Sequence, residues 1–309
     1  MSVVEPSAGR ERFLGALPSG TQLDEVQAAL LGVPFDGAVT YRGGASGGPA
    51  GLRAASDSIE TYCPKLDEDL EDRRYVDLGD LDCSVPDAAS GIAGETPGER
   101  LCRSLRTQLD ARLADAPALP VLGIGGDHLV AYPFLERMLE RHADLQIIHI
   151  DAHMDLRDEW EGEPFNHASV LGRARDVMGP DHRVHQWGIR SGERSEYRMA
   201  REDARFELLA PTLEAITARV TALCSAGLPL YVTLDVDGID PADIPGTGTP
   251  EPDGLAFGAV EAALGLLATR EGRVVGADIV ELAPALDPTG RSSVAVARLA
   301  RTLLLVLTR

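Results

Sequence analysis

The feature that most constrains this 309-residue chain is an alternation: short runs apolar at nearly every position, each followed by a stretch with helical spacing. ALPVLGI (118–124), LQIIHI (145–150), VHQWGI (184–189), LPLYVTLDV (228–236) and RVVGADIVEL (273–282) read as strands. Between them Val130, Phe134, Leu135, Met138 and Leu139 share one helical face, and Leu213, Ile216, Val220 and Leu223 share another within 212–226. Residues 255–268 and 293–307 read as two further helices. Strands apolar on both sides and separated by helices indicate a parallel sheet covered on both faces. AALLGVPF (28–35) and YVDLGDL (75–81) add strands at the N-terminal end. No long linker, low-complexity tract or repeat interrupts the pattern, so a single domain over 1–309 is expected.

Composition then narrows the function. With 49 Asp and Glu against 29 Lys and Arg, the formal charge is −20. That disfavours nucleic acid and anionic membranes as partners, and suits a small cationic substrate. Aromatic residues make up only 5%, too few for a base-stacking platform. Cys63, Cys83, Cys102 and Cys224 lack CxxC spacing and read as buried or incidental thiols in a reducing cytosol. The first twenty residues hold no continuous apolar segment of the signal-peptide kind, and LLLVL (303–307) falls far short of the roughly 20 residues of a membrane span. That run reads as the buried stripe of the last helix, and a cytoplasmic location is expected.

In open parallel sheets ligands bind outside the carboxyl ends of the strands, so the residues just past each strand matter most. Asp127-His128 follows GIGG, Asp151-Ala152-His153-Met154-Asp155 follows IIHI, Asp235-Val236-Asp237 follows YVTL, and Glu281 follows GADIV. Side chains two apart in extended backbone face the same way, about 6–7 Å apart. Asp151 with His153, and Asp235 with Asp237, thus each aim two ligands into one cleft, and Asp155 can curl back toward it. Asp151, Asp155, Asp235 and Asp237 held about 5 Å apart repel by ~3 kcal/mol per pair at an effective dielectric of about 20. Two divalent cations balance those four charges, with His128 and His153 as neutral nitrogen donors. An oxygen-rich, thiolate-free ligand set favours Mn²⁺, with Zn²⁺, Co²⁺, Ni²⁺ and Fe²⁺ left open. One DxD or one GGDH alone is an ordinary turn; their coincidence at neighbouring strand ends carries the reading. His149 is expected to alternate away from this cluster, as a core residue or one behind the ligands, and His142, His182 and His185 to be surface or structural.

Two glycine motifs fail. In Gly123-Ile124-Gly125-Gly126-Asp127-His128, a histidine stands where a dinucleotide fingerprint needs glycine, and Pro49 stands after Gly43–Gly48 where a phosphate loop needs lysine. The latter stretch reads as a flexible loop before a helix holding Leu52 and Ile59.

These segments resemble the ureohydrolase (arginase/agmatinase) family. GVPFDGAVTYRGGASGGPAGLR, GIGGDH, IIHIDAHMDLRDEWEGEPFNHAS, GIRSGE, VTLDVDGIDPADIPGTGTPEPDGL and VVGADIVELAP span residues 32 to 284 in family order. GVPFD, EGEPFNH and PGTGTPEPDGL are closer to agmatinases than to arginases. The resemblance implies a three-layer α/β/α fold around a central parallel eight-stranded sheet, and two Mn²⁺ per chain. His128, Asp151, Asp155 and Asp235 would hold one ion, and Asp151, His153, Asp235 and Asp237 the other, with Asp151 and Asp235 bridging. His167 matches the proton-transfer histidine and Glu281 the carboxylate that binds the guanidinium. A homo-oligomer, trimeric or hexameric, is also implied.

The expected reaction is hydrolysis of agmatine to putrescine and urea. Two metals lower the pKa of a shared water toward about 7. Glu281 would pair with the guanidinium, Asp155 would accept the first proton, and His167 would carry it to the departing nitrogen. The ammonium end of agmatine needs acceptors: Asp158, Glu159, Glu161 and Glu163 are candidates, although solvated loop charges are the plainer reading. A guanidino acid such as 4-guanidinobutyrate would need a basic partner, for which Arg42 and Arg157 are available. Arginine would require a joint carboxylate and amine clamp that is not evident. Ala45-Ser46-Gly47, Met154 and Asn166 depart from the usual family choices. Outside this class stand a metal-binding module without turnover and a zinc deacetylase with one ion.

Overall fold

The computed structural model describes residues 12–18, 20–87, 92–268 and 272–309. Strands β1 (Ala28–Val33), β4 (Tyr75–Asp80), β5 (Val121–Gly125), β6 (Gln146–Ile150), β7 (Arg183–Trp187), β8 (Phe206–Leu208), β9 (Pro229–Asp235) and β10 (Arg273–Val280) form one sheet. Its order is β4-β1-β5-β10-β9-β6-β7-β8, and every neighbouring pair is parallel. The short strands β2 (Tyr62–Cys63) and β3 (Glu68–Asp69) pair antiparallel outside it.

Alternation along the strands builds two cores. Ala28, Leu30, Leu122, Ile124, Ile148, Ile150, Leu230, Val232 and Leu234 pack on one face. They meet helices α1 (Gly48–Ala55), α6 (Leu213–Ser225), α7 (Phe257–Leu266) and α8 (Arg291–Leu307). Ala29, Leu31, Val33, Val121, Ile147 and Tyr231 point to the other face. There they meet α2 (Pro97–Arg112), α3 (Tyr132–Arg141), α4 (Val170–Val177) and α5 (Arg194–Glu202). The result is the expected α/β/α sandwich. Residues 303–307 are buried in α8, as expected of that apolar run. Cys63, Cys102 and Cys224 are buried, and Cys83 is half-buried. Among the described residues no helix is long and apolar enough to cross a membrane.

Two expectations need correction. The helix after the glycine loop ends at Ala55, so Ile59 lies beyond it, past a short turn of 3₁₀ helix. The loop itself is closely packed: a Cβ on Gly48 would sit 2.8 Å from Leu282 O and 2.9 Å from Gly125 O. Glycine there lets α1 start against the backbone of the central strands.

The strand order positions the site. After β5 the chain leaves two places empty and lays down β6; β9 and β10 later fill the gap. His128, the Asp151–Asp155 run, Asp235 with Asp237, and Glu281 therefore emerge at the carboxyl ends of four adjacent central strands, where the direction of winding changes.

Candidate active site

Each of these strand ends presents its side chains through a tight local turn. Asp235 Oδ1 accepts the Asp237 N–H at 2.8 Å, and Asp151 Oδ1 accepts the His153 N–H at 2.6 Å. Each aspartate thereby bends the backbone that carries its neighbour. Asp155 (φ 54°) and Glu281 (φ 64°) adopt the left-handed conformation, which costs energy for a residue with a side chain. Both strained positions bring a carboxylate into the cluster. Glu281 is tied down twice, its N–H on Gly126 O at 2.8 Å and its Oε1 accepting the His128 N–H at 2.9 Å.

The six expected metal-ligating residues converge. His128 Nδ1 lies 2.9 Å from Asp155 Oδ2, 3.2 Å from Asp151 Oδ2 and 3.4 Å from Asp235 Oδ2. His153 Nδ1 lies 3.1 Å from Asp237 Oδ2 and 3.6 Å from Asp151 Oδ1. All but His153 are buried.

The histidine tautomers test whether this cage suits a cation. His128 Nε2 lies 2.9 Å from Thr233 Oγ1, and that hydroxyl donates to Asp278 Oδ1 at 2.7 Å. With its hydrogen committed to Asp278, Thr233 accepts from Nε2–H. Nδ1 of the neutral ring then carries a lone pair. That buried atom makes no hydrogen bond. Burial opposes a charge on the ring, but the three carboxylates around it outweigh burial and raise its pKa well above the ordinary value, so without a cation it draws a proton. A lone pair and carboxylate oxygens aimed at one point form a donor set for a divalent cation. Left to protons alone, the cluster is frustrated. Burial, with Asp237 and Asp151 nearby, pushes Asp235 well above the usual carboxylate range, and burial with Asp151 raises Asp237. Burial also works against ionised Asp151, yet His149, His128 and His153 hold it well below its ordinary value.

His149 corrects an expectation. It faces the cluster, with Nε2 2.8 Å from Asp151 Oδ2. Residues 149 and 151 are two apart, so the alternation that pairs Asp151 with His153 also brings in His149. Gln186 Nε2 donates to Met154 O and to His149 Nδ1, both at 3.1 Å. Nδ1 is therefore the acceptor, and Nε2–H donates to Asp151. His182 and His185 are structural, bonded to His142 O and to Glu207 and Gln146.

His167 stands beside Glu281, Nδ1 to Oε1 at 3.5 Å, with Nε2 3.0 Å from Thr40 Oγ1. Burial disfavours its charged form, but Glu281, with Asp155 and Asp127, outweighs burial and raises its pKa. Asn166, an unusual family choice, caps the turn that presents it: its side chain accepts the Ala168 N–H at 2.9 Å. Asp127 is fully buried, and burial, with Glu281 nearby, pushes it up to about 8.

A cleft of about 260 Å³ opens above the cluster, lined by Asp155, Asp235, Asp237, His153 and His167 and, farther out, by Arg157, Trp160, Glu193 and Glu196. His128, Asp151 and Glu281 are buried and do not line it, although Glu281 lies 3.5 Å from His167, which does. The loop acids do not line it: Glu163 binds Thr96, Gly98 and Phe165, and Asp158 faces a separate hollow. Arg42 is spent on the carbonyls of Thr247 and Gly248. Arg157 does reach the cleft, 3.3 Å from Glu193, 3.9 Å from Glu196 and stacked 4.5 Å over Trp160. Thr233, Asp278, Gln186 and Thr40 join the site through contacts that no sequence motif marks. An acid inside the apolar strand GADIV was the available signal for Asp278.

Comparison with known proteins agrees with this geometry. The model of the Arginase family matches residues 26–306. An agmatinase of Bacillus cereus is 36% identical over 297 residues, covering 95% of each chain. A guanidinobutyrase of Pseudomonas aeruginosa is 31% identical, over 94% of this chain and 89% of its own. The crystal structure of a putative agmatinase from Clostridium difficile superposes with a TM-score of 0.83 at 33% identity, over 93% of this chain and 99% of that one. With its site on the ends of β5, β6, β9 and β10, the chain belongs to the arginase family, whose enzymes hydrolyse guanidino C–N bonds.

Proposed function

We propose that the protein hydrolyses agmatine to putrescine and urea at a pair of Mn²⁺ ions. His128, Asp151, Asp155 and Asp235 would hold one, and Asp151, His153, Asp235 and Asp237 the other. The observation that carries this reading is the hydrogen-bond-free Nδ1 of His128 inside a ring of three carboxylates. Bound there, the ions supply Lewis acidity and acidify water near neutral pH.

The chain's own residues do the rest. Glu281, pinned by His128 N–H, accepts N–H bonds from the guanidinium and fixes its carbon above the cluster. Asp155 takes the proton that water gives up. His167 passes a proton to the departing nitrogen, so that the C–N bond breaks to a free amine and urea. Both lie against the same cleft.

At the far end, Arg157 is answered by two carboxylates, Glu193 and Glu196. The local balance is negative, which favours the ammonium of agmatine over the carboxylate of 4-guanidinobutyrate. The agmatinase relatives support the same choice, while the guanidinobutyrase likeness keeps the acid as the second reading. A cytoplasmic homo-oligomer, trimer or hexamer, is the accompanying proposal, tested by light scattering. The deciding experiment measures urea release and metal content on one Mn²⁺-loaded sample given agmatine, 4-guanidinobutyrate and arginine. Agmatine is expected to be the best substrate with two ions per chain. Faster turnover of the acid, no urea from any substrate, or one zinc per chain would each overturn the proposal.

A further inference from the structure

His167 reaches a partner on each ring nitrogen, and the second partner belongs to no expected motif role. Nδ1 faces Glu281 Oε1, a carboxylate that only accepts, so Nδ1 carries a hydrogen in this arrangement. Nε2 faces Thr40 Oγ1 at 3.0 Å, and Thr40 also lines the cleft. A ring that shuttles protons shows Nε2 as a donor in one state and as a lone pair in another. Only a group able both to accept and to donate can bond Nε2 before its proton leaves for the substrate nitrogen and again once it has gone. A hydroxyl does so; a carboxylate, an ammonium or an alkyl group does not.

The segment leading up to Thr40 is tied to the strand ends of the site. Gly126 N–H donates to Val33 O at 2.8 Å, Asp127 N–H to Phe35 O at 2.7 Å, and Ala38 N–H to Asp127 Oδ2 at 2.9 Å. The buried Asp127 thus stitches the segment before Thr40 to the turn that presents His128. We propose that Thr40 is a positioning residue that sets the orientation of the His167 imidazole before and after its proton passes to the substrate. The inference rests on the proton-transfer role given to His167 above.

The test compares Thr40→Val, which keeps shape and loses the hydroxyl, with Thr40→Ser, which keeps the hydroxyl. Agmatine kcat is expected to fall about 10–100-fold in Thr40→Val, the loss of one hydrogen bond to a charged ring. KM should stay within about threefold, metal content should not change, and Thr40→Ser should recover kcat. Nitrogen-15 shifts of the His167 ring, in protein loaded with diamagnetic Zn²⁺, should move in Thr40→Val and not in Thr40→Ser. Wild-type kcat in Thr40→Val, or equal loss in both variants, overturns the proposal. If the wild-type protein releases no urea at all, the functional reading fails, and the ring shifts alone decide for or against Thr40.

Discussion

Removing the Thr233 hydroxyl would free Nε2 of His128 from the bond that selects its tautomer. Thr233→Val keeps the shape of a fully buried side chain and removes the acceptor at 2.9 Å. Metal affinity should fall about 10–100-fold, the usual effect of losing a partner behind a ligating histidine. Competition against a metal-buffering chelator measures it, and unchanged affinity would mean that Nδ1 is not a ligand. At this scale the sequence was legible where a side chain emerges from a strand end, because parity alone groups Asp151 with His153 and Asp235 with Asp237. Parity equally groups His149 with Asp151, and the structure brings the two together. Thr233 and Asp278 were not legible, since their contact joins β9 to β10, 45 residues apart in sequence. Nor were Glu193 and Glu196, which reach the cleft only because α5 begins beside Arg157.

Elements were legible in proportion to their burial and length. The seven strands read from apolar runs all form; the eighth position of the sheet came only from the family resemblance. That strand, β8, has three residues, of which Glu207 is charged and Leu208 exposed, so it carries no apolar run to read. Helix α2 does carry a local sequence signal: Thr96 and Glu99 form a reciprocal capping box, with Pro97 in the first turn. Packing between elements makes the same substitution act in opposite directions at two glycines. A Cβ on Gly126 would fall 1.6 Å from Phe35 O, a backbone atom that cannot rotate away. Gly126→Ala should cost about 3 kcal/mol or more, or yield no soluble protein. Gly258, in the first turn of α7, has nothing within 4 Å of the added carbon. Gly258→Ala should stabilise by about 0.5 kcal/mol through helix propensity and a less flexible unfolded chain. Urea-denaturation midpoints distinguish the two, and a destabilised Gly258→Ala would count against the described environment of α7.

For the molecule as a whole, the proposed metal site would link cation, proton and stability. Four central strands end in carboxylates that repel one another, and the metal-free chain relieves this with protons. His153 illustrates it: burial opposes its charge, but Asp151 and Asp237 outweigh burial and raise its pKa to about 12. Near pH 7 the metal-free imidazole is therefore protonated, and Asp235 and Asp237 are raised as well. A cation bound as proposed would need the His153 lone pair and ionised carboxylates, so its binding would expel protons. Apparent metal affinity should accordingly rise with pH, and the stability that metal contributes should shrink as pH falls. At a hundredfold excess over Kd, one bound ion adds about 2.7 kcal/mol, roughly 4 °C in Tm for a chain of this size. Stripping with EDTA at pH 7.5 should lower Tm by at least that much, and by less at pH 5.5, where less metal is held. Calorimetric titration with Mn²⁺ in two buffers of different ionisation heat should report one or more protons released per chain. Binding without proton release would show that the metal-free cluster does not hold the protons assigned to it. A Tm indifferent to EDTA would show that these strand ends need no cation to stay together.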